Sequence, residues 1–272
     1  MSIARKKLII LLIIVLIGLF CYTEYNVYSN FIAVKNNSQS NSKIFKREKS
    51  SDEVDVKEKI LDITNIEVQQ LYNRISNGIG FSCGVSEYYK DNKITNTSIP
   101  NEVAYSVALA NLLGNEGENG ANISNNFTEE SLKGEIAKIF GKSYNFVNQT
   151  YTTCPQYNYI ANTNTYKYVG GKCNTICKAG NMVKIVKALK KADTIEIYTR
   201  VLFIDSNSVT LKYYRDFNRT QLITDLSVDK SGVPYESDLN YAKGSLYKIL
   251  FAKEDNNYIF TSSELIAETT NN

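Results

Sequence analysis

The chain has 272 residues, with 31 Lys and Arg against 28 Asp and Glu, and it contains neither histidine nor tryptophan. Without histidine, Ser-His-Asp catalysis, Cys-His catalysis and His-based metal sites are excluded. Three of the basic residues, at positions 5–7, precede the first apolar run, so the rest of the chain is neutral. A neutral chain without a basic stripe is a poor nucleic-acid binder.

The N-terminus has the pattern of a membrane-directing segment. Residues 1–7 form a basic tip, which is expected to stay in the cytoplasm, and residues 8–28 are predicted to be a transmembrane anchor or an uncleaved signal. The apolar run from Leu8 to Tyr22 is shorter than the roughly 20 residues that cross a bilayer. A cleaved signal peptide, which would release the protein from the cell, is therefore the alternative. In either case the bulk of the chain is predicted to be extracytoplasmic.

A lipid-modified Cys21 is a third possibility, which the bulky Phe20 beside it disfavours. Residues 29–55 are rich in Asn, Ser, Lys and Glu and are predicted to be a disordered tether. The folded part is expected to extend from residue 56 to residue 266, and residues 267–272 are a tail.

Residues 56–142 are predicted to form about three helices. Thr64 and Glu67 have the spacing of a capping box. In this motif the Thr64 hydroxyl accepts a hydrogen bond from a backbone amide of the first turn, and the Glu67 side chain accepts one from the Thr64 amide. A second helix starts at Pro100, and Thr128 caps a third. Each helix ends at a glycine and carries an apolar stripe: Val68, Leu71, Tyr72 and Ile75; Val103, Val107, Ala110 and Leu113; Leu132, Ile136, Ile139 and Phe140.

Residues 143–266 are predicted to form an antiparallel sheet. Apolar and polar residues alternate over 195–203, the period of a half-buried strand, and Ser206-Asn207 turns it into the next one. Residues 182–190 fit either a helix or a strand paired with 194–204, and the turn directly after them favours the strand. The further predicted strands are 144–153, 157–162, 165–169, 209–213, 247–251 and 258–263.

Helices followed by an antiparallel meander indicate an α+β fold. A curved sheet wrapped around helices, as in cystatin-like or nuclear-transport-factor-like cones, is the expected shape. Such folds carry many unrelated functions, so the shape predicts no activity.

Four cysteines follow the N-terminal segment, and we consider them candidates for two disulfides: Cys83, Cys154, Cys173 and Cys177. An even number of cysteines in an exported chain favours disulfides, although four cysteines allow three pairings. Their spacing is not that of a zinc ribbon, and no Cys-x-x-Cys redox motif is present. No cofactor-binding or metal-ligating residue is predicted.

Carboxylate chemistry does not need histidine, and two acidic groups can hydrolyse a glycosidic bond. The available acidic residues are Glu87, Asp91, Glu196, Asp205, Asp216 and Glu264, and none of them is singled out as catalytic. Aromatic residues of the second half can form either a ligand platform or core packing, and packing is favoured: Tyr144, Phe146, Tyr151, Tyr157, Tyr159, Tyr166 and Tyr168.

Residues 170–177, followed by Ile-Glu-Ile-Tyr at 195–198, Tyr-Lys-Ile-Leu-Phe at 247–251 and Tyr-Ile-Phe at 258–260, resemble a group of membrane-anchored extracytoplasmic proteins of AT-rich Gram-positive-type bacteria. The resemblance implies a compartment and no activity. The sequence favours a non-catalytic module that binds an envelope protein, a peptide or a small ligand through its sheet. The alternative is a carboxylate-dependent hydrolase acting on envelope polymers.

Overall fold

The structure is a computed structural model, and it describes residues 58–79, 81, 84–114, 126–153, 156–170, 179–205, 211–226 and 240–267. All of them belong to one compact unit, Val56–Asn272. The predicted anchor, the tether and the four candidate disulfide cysteines lie outside the described residues. Among the described helices, none is long and apolar enough to span a bilayer.

The described residues form three α-helices and a largely antiparallel sheet, which confirms the α+β class. The helices are α1 (Ile66–Ser76), α2 (Asn101–Leu113) and α3 (Glu129–Phe140). The strands are β1 (Lys59–Leu61), β2 (Lys93–Thr95), β3 (Phe127–Thr128), β4 (Gln156–Ile160), β5 (Thr165–Gly170), β6 (Ala179–Lys191), β7 (Thr194–Asp205), β8 (Leu211–Tyr214), β9 (Leu222–Leu226), β10 (Ser245–Glu254) and β11 (Asn257–Ala267).

All three helices lie where the sequence predicts them, but the cap of α1 differs. Asn65, and not Thr64, is the N-cap residue, and its side chain accepts a hydrogen bond from the Glu67 amide at 2.8 Å. The Thr64 hydroxyl instead donates to Asp62. This neighbouring carboxylate competes for Thr64, so the cap moves one residue along the chain. Thr128 caps α3 as predicted, accepting from the Ser131 amide.

Helix α2 is the central helix of the core. It is buried almost all round, from Val103 through Leu109, so its apolar surface is wider than the single stripe of the prediction. It packs against α1 and α3, and Tyr105 stacks on Tyr151, with ring centroids 4.9 Å apart. A helix enclosed on several sides needs no polar face, which explains why its sequence shows weak amphipathicity.

The large sheet has the strand order β1-β6-β7-β10-β11-β2, and every pair in it is antiparallel. Strand β8 pairs with the end of β7, and β9 continues the branch. The ambiguous segment 182–190 is a strand, paired with β7 as favoured. The short strands β1 and β2 come from the helical half of the chain and form the two ends of the main strand order.

A small second sheet has the order β3-β5-β4. The strand predicted over residues 144–153 is wrong, because this segment is irregular apart from one isolated bridge between Tyr151 and Tyr157. Its backbone bonds side chains instead of a neighbouring strand. The Val147 amide donates to Asn101 Oδ1, and the Val147 carbonyl accepts from the Tyr151 hydroxyl. Its tyrosines pack into the core one by one, without a ladder.

Two clusters of apolar side chains lie on opposite faces of the large sheet. The main cluster contains the buried residues of all three helices, of the small sheet and of one face of the large sheet. The second cluster, formed by Leu202, Ile204 and Tyr213, covers one end of the other face. Tyr241 and Met182 pack on it. In the described part of the chain, the helices therefore cover only one face of the large sheet.

Candidate binding face

Strand register assigns each residue of the large sheet to one of its two faces, because residues directly opposite on neighbouring strands share a face. In β7 the core face carries the buried side chains of Ile195, Ile197, Thr199 and Val201. The residues between them lie on the opposite face, which we call the outer face: Glu196, Tyr198 and Arg200.

The outer face is rich in cations. The register of β2, β6, β7, β10 and β11 places six basic residues on it: Lys93, Lys184, Lys187, Lys191, Arg200 and Lys248. Three carboxylates share these strand positions, Glu196, Glu254 and Glu264, and Glu254 accepts a hydrogen bond from the Lys142 amide. One more, Glu58, lies 3.9 Å from Lys191, just before β1. Because the chain beyond residue 7 is neutral overall, its charge is distributed unevenly over the fold.

Glu196 is the centre of a hydrogen-bonded network on the outer face. The Lys191 ammonium lies 3.2 Å from Glu196 Oε1, and the Tyr198 hydroxyl donates to Oε2 at 2.9 Å. The Lys187 ammonium lies 5.3 Å from the centre of the Tyr198 ring, a cation–π distance. On the neighbouring strands, Lys248 pairs with a carboxylate of β11 at 3.3 Å. These contacts connect side chains of β6 with β7 and of β10 with β11.

The pKa of Glu196 is lowered, so this carboxylate is ionised at neutral pH. Partial burial acts to raise the pKa, but hydrogen bonds from Tyr198 and Lys191 lower it further than burial raises it. The charges of Lys191 and Lys248 act in the same direction. A carboxyl group held ionised among cations is suited to an ion pair and not to the role of a general acid.

Part of the outer face is open to solvent. The side chains of Lys93, Lys184 and Lys187 are exposed. Two apolar side chains lie among them: Ile60 is 72% exposed and Val186 is 43% exposed. Ile60 lies opposite an outer-face residue of β6, and Val186 occupies a bulge where β6 has one residue more than β7. Because both side chains are exposed, they are not needed to fill the core.

Glu87 is the acidic residue with the most unusual surroundings. It starts a 3-10 turn that places Tyr88 and Tyr89 in the core, and its Oε2 atom is buried without a hydrogen-bond partner among the described residues. Burial raises the pKa of Glu87, and the charge of Glu102 adds to the rise. The charge of Lys90 and backbone amides oppose it. This is the one carboxyl group of the predicted candidates whose pKa is raised within the described residues.

The remaining predicted carboxylates either have structural roles or are exposed to solvent. Asp216 accepts three hydrogen bonds from the amides of Thr220 and Gln221 and one from the Thr220 hydroxyl, which closes the turn between β8 and β9. Although burial acts to raise its pKa, these bonds lower it overall. Glu264 pairs with Lys248. Asp91 is exposed, and Asp205 lies at the end of β7.

The aromatic residues of the second half pack in the core, as favoured. Tyr151, Tyr157 and Tyr166 are buried, and they contact neighbouring aromatic rings. Tyr144 is half-buried, and its hydroxyl donates to the Ile99 carbonyl at 2.7 Å. The others, Phe146, Tyr159 and Tyr168, are partly buried against the same cluster. These rings stabilise the contact between the small sheet and α2 and do not form an open ligand platform.

A shallow depression of about 640 Å³ lies where α3 begins, beside the turn between β4 and β5. Glu129 on its wall accepts hydrogen bonds from Lys133 at 2.7 Å and from the Tyr159 hydroxyl at 2.5 Å. The bond from Lys133 is the main cause that lowers the pKa of Glu129. The lining residues are Thr128, Glu129, Glu130, Lys133, Gly134, Thr163 and Asn164. Glu129 and Lys133 pair with each other, and the depression is open to solvent.

Within the described residues, no group of three or more acidic or cysteine side chains is placed to hold a metal ion. The four predicted disulfide cysteines, Cys83, Cys154, Cys173 and Cys177, lie outside the described residues, so the disulfides stay predictions.

Comparisons with protein families, with curated proteins and with solved structures find no match to this chain.

The sequence predicted a half-buried strand at β7 but did not show the concentration of positive charge on one face of the sheet. The chain beyond residue 7 is neutral overall, and the six cations come from positions as far apart in the chain as Lys93 and Lys248. The sequence does show Lys184, Lys187 and Lys191 recurring in and just after the segment 182–190, which fits either a helix or a strand. Only the strand order shows that they share a face with Lys93 and Lys248.

Proposed function

We propose that this protein is a non-catalytic module on the extracytoplasmic side of the membrane, which binds a component of the cell envelope through the outer face of its large sheet. One observation carries the proposal. The helices of the described part pack on one face of the sheet, while the other face presents cation-rich and partly exposed side chains. Such a face is typical of a recognition surface, since a purely structural sheet needs no excess of one charge.

The weak contribution of these ion pairs to stability supports a role in recognition. The pairs of Lys191 with Glu196 and of Lys248 with Glu264 are partly exposed, and such pairs contribute about 0–1 kcal/mol each. The fold therefore does not depend on them.

The proposed location rests on the N-terminal pattern. The basic tip at residues 1–7 and the apolar segment at 8–28 favour a single-pass anchor with its N-terminus inside, and cleavage with secretion is the alternative. The even number of cysteines after this segment agrees with an oxidising compartment. We expect mass mapping with and without reductant to find two disulfides. Four free thiols would argue against export.

For the shape, we propose a curved sheet that wraps the helices, as in cystatin-like or nuclear-transport-factor-like cones. The packing of the three helices on a single face of the sheet supports it. The bulges between β10 and β11 and in β6 also support it, because bulges bend strands.

A carboxylate-dependent hydrolase acting on envelope polymers is the second candidate, and Glu87 is the observation that favours it. A buried carboxyl group whose pKa is raised, next to the second carboxylate of Glu102, has the character of a general acid. Loss of polymer hydrolysis in Glu87→Gln, with the fold unchanged, would support this candidate. A purified protein without hydrolytic activity towards envelope polymers would exclude it.

Lysine footprinting in intact cells tests the proposed function. A membrane-impermeant acetylating reagent is applied to cells that carry the full chain and to the detergent-extracted protein. Mass spectrometry then compares the exposed outer-face lysines 93, 184 and 187 with exposed lysines elsewhere in the fold, Lys133, Lys138 and Lys167. The second set is the internal control.

We expect the control lysines to react equally in cells and in extract, and the outer-face lysines to react slowly in cells and rapidly in extract. Equal reactivity of both sets in cells would contradict binding through the outer face. Failure of every lysine to react until the cells are broken would contradict the extracytoplasmic location.

A further inference from the structure

The cations of the outer face form a two-dimensional array. From β6 to β2 the sheet crosses four strand spacings, about 19 Å, and the stretch from Lys184 to Lys191 along β6 spans about 20 Å. A linear polyanion needs one row of cations, and a peptide that adds a strand needs an open strand edge. Cations spread over the face in both directions fit a planar anionic partner.

Exposed apolar side chains accompany the cations. Ile60 lies on the outer face of β1 at one side of the array; Val186 occupies the bulge in β6 next to Lys187, and Ile266, which is 45% exposed, occupies the register shift near the end of β11. Basic and apolar side chains together on one surface are typical of proteins that lie on a membrane, where the cations contact headgroups and the apolar groups enter the interface.

The direction of the chain agrees with this orientation. The described residues begin at Glu58, directly before β1, and β1 is the end strand next to β6. The predicted anchor and tether are therefore connected to the domain through β1, the strand next to β6. A domain tethered in this way experiences a high effective concentration of membrane surface, so a weak interaction is sufficient to dock it.

We propose that the outer face docks on the anionic lipid headgroups of the membrane that holds the protein, with Lys184, Lys187 and Lys93 as its main contacts. This inference rests on the proposed function and names the partner of the same face. An acidic protein is the less suitable partner. Protein interfaces concentrate their affinity in a central, desolvated pocket, and the exposed ammonium groups of this face are spread apart.

The experiment uses the full chain reconstituted in nanodiscs of zwitterionic lipid and in nanodiscs that contain anionic lipid. Acetylation rates are measured for Lys93, Lys184 and Lys187, with Lys133, Lys138 and Lys167 as internal controls. We expect the first three rates to fall by about tenfold in anionic discs and to recover in high salt, because exposed charges are screened. The control rates stay unchanged.

Equal rates in both kinds of disc would overturn the lipid proposal. So would protection that appears only when a soluble acidic polypeptide is added to zwitterionic discs, since the partner would then be a protein. If the same lysines are protected in cells but not in anionic discs, the lipid partner is wrong while binding through the outer face stands. If they are reactive in both settings, both proposals fail.

Discussion

At the scale of single residues, Glu87 is the one carboxylate among the buried side chains of the described residues that lack a hydrogen-bond partner. Glu87 Oε2 is buried without a hydrogen-bond partner, while Glu102 adds a like charge nearby. Burial of an ionised group without a partner lowers stability, so the folded state binds the Glu87 proton more tightly than the unfolded chain does. Protonated Glu87 therefore makes its full contribution to the free energy of unfolding at low pH. This contribution is lost as the pH rises through the folded-state pKa.

We expect Glu87→Gln to stabilise the protein at neutral pH by about 1 kcal/mol, because the variant removes a buried charge. Below about pH 4, Glu87 is protonated in the folded and the unfolded protein, so the wild type and the Gln variant should be equally stable. Urea unfolding at several pH values measures the difference. Asp91→Asn removes an exposed carboxylate four residues away and serves as the control. A Gln variant that is less stable than the wild type at neutral pH would contradict this account.

Single residues also show where the sequence was insufficient. Thr64 and Asn65 are adjacent, and both side chains are good caps, so only the competing bond to Asp62 decides between them. Thr128 has no such competitor and was predicted correctly. The pKa of Glu87 depends on burial by residues distant in the chain, and no local pattern contains that information.

At the scale of elements, two glycines of α3 have opposite environments. Gly134 lies inside the helix, and a methyl group placed on it meets no atom within 4 Å. Gly141 ends the helix with φ +88°, and a methyl group there would lie 2.6 Å from Ile259 Cδ1. The first glycine makes the helix less stable, whereas the second is required by its backbone conformation.

Alanine at each position tests this difference. Gly134→Ala should raise the free energy of unfolding by about 0.5–1 kcal/mol through helix propensity. Gly141→Ala should lower it by about 1–3 kcal/mol through backbone strain. Chemical denaturation measures both, and each variant is the control for the other. Equal effects of the two substitutions would contradict the assigned end of α3.

Periodicity predicted the elements whose two sides differ, and it failed where both sides are alike. The alternation over β7 is clear because one face is core and the other is polar. Helix α2 is enclosed nearly all round, so its stripe was predicted too narrow. Residues 144–153 are rich in tyrosine, which favours strands, yet their rings pack individually into the core. Propensity for strands describes packing on a sheet and does not supply a partner strand.

At the scale of the whole molecule, buried tyrosines determine how the fold responds to alkali. Burial raises the pKa of Tyr89 and of Tyr157 to about 12. The pKa values of Tyr72 and Tyr88 rise further, and burial is again the main cause. A folded-state pKa above the unfolded value means that stability is complete below about pH 10 and is lost as the pH rises from there.

We therefore expect a spectrophotometric titration to separate the 20 tyrosines into two groups. Exposed rings ionise reversibly near their ordinary pKa, and the buried rings ionise later, together with loss of the circular dichroism of the fold. Titration of the urea-unfolded chain, in which all rings are accessible, is the control. A single transition near the ordinary tyrosine pKa, with the fold intact, would contradict the burial of these rings.

The charge asymmetry of the molecule also belongs to this scale, because it arises from strand order. Lys93 at one end of the main sheet and Lys184 near the other share the outer face through three intervening strands. A neutral composition conceals this arrangement, and only the register of the assembled sheet makes it visible. The binding face is therefore a property of the fold and not of any one motif.

Site-specific photo-cross-linking tests the central claim, binding through the outer face, most directly. A photoreactive amino acid replaces Lys187 on the outer face or, as the matched control, Lys133 on α3. Both positions are exposed lysines, so either replacement leaves the core intact. On irradiation of intact cells, we expect position 187 to form a cross-link to an envelope component and position 133 to form none. The same products from both positions, or products from position 133 alone, would contradict the claim.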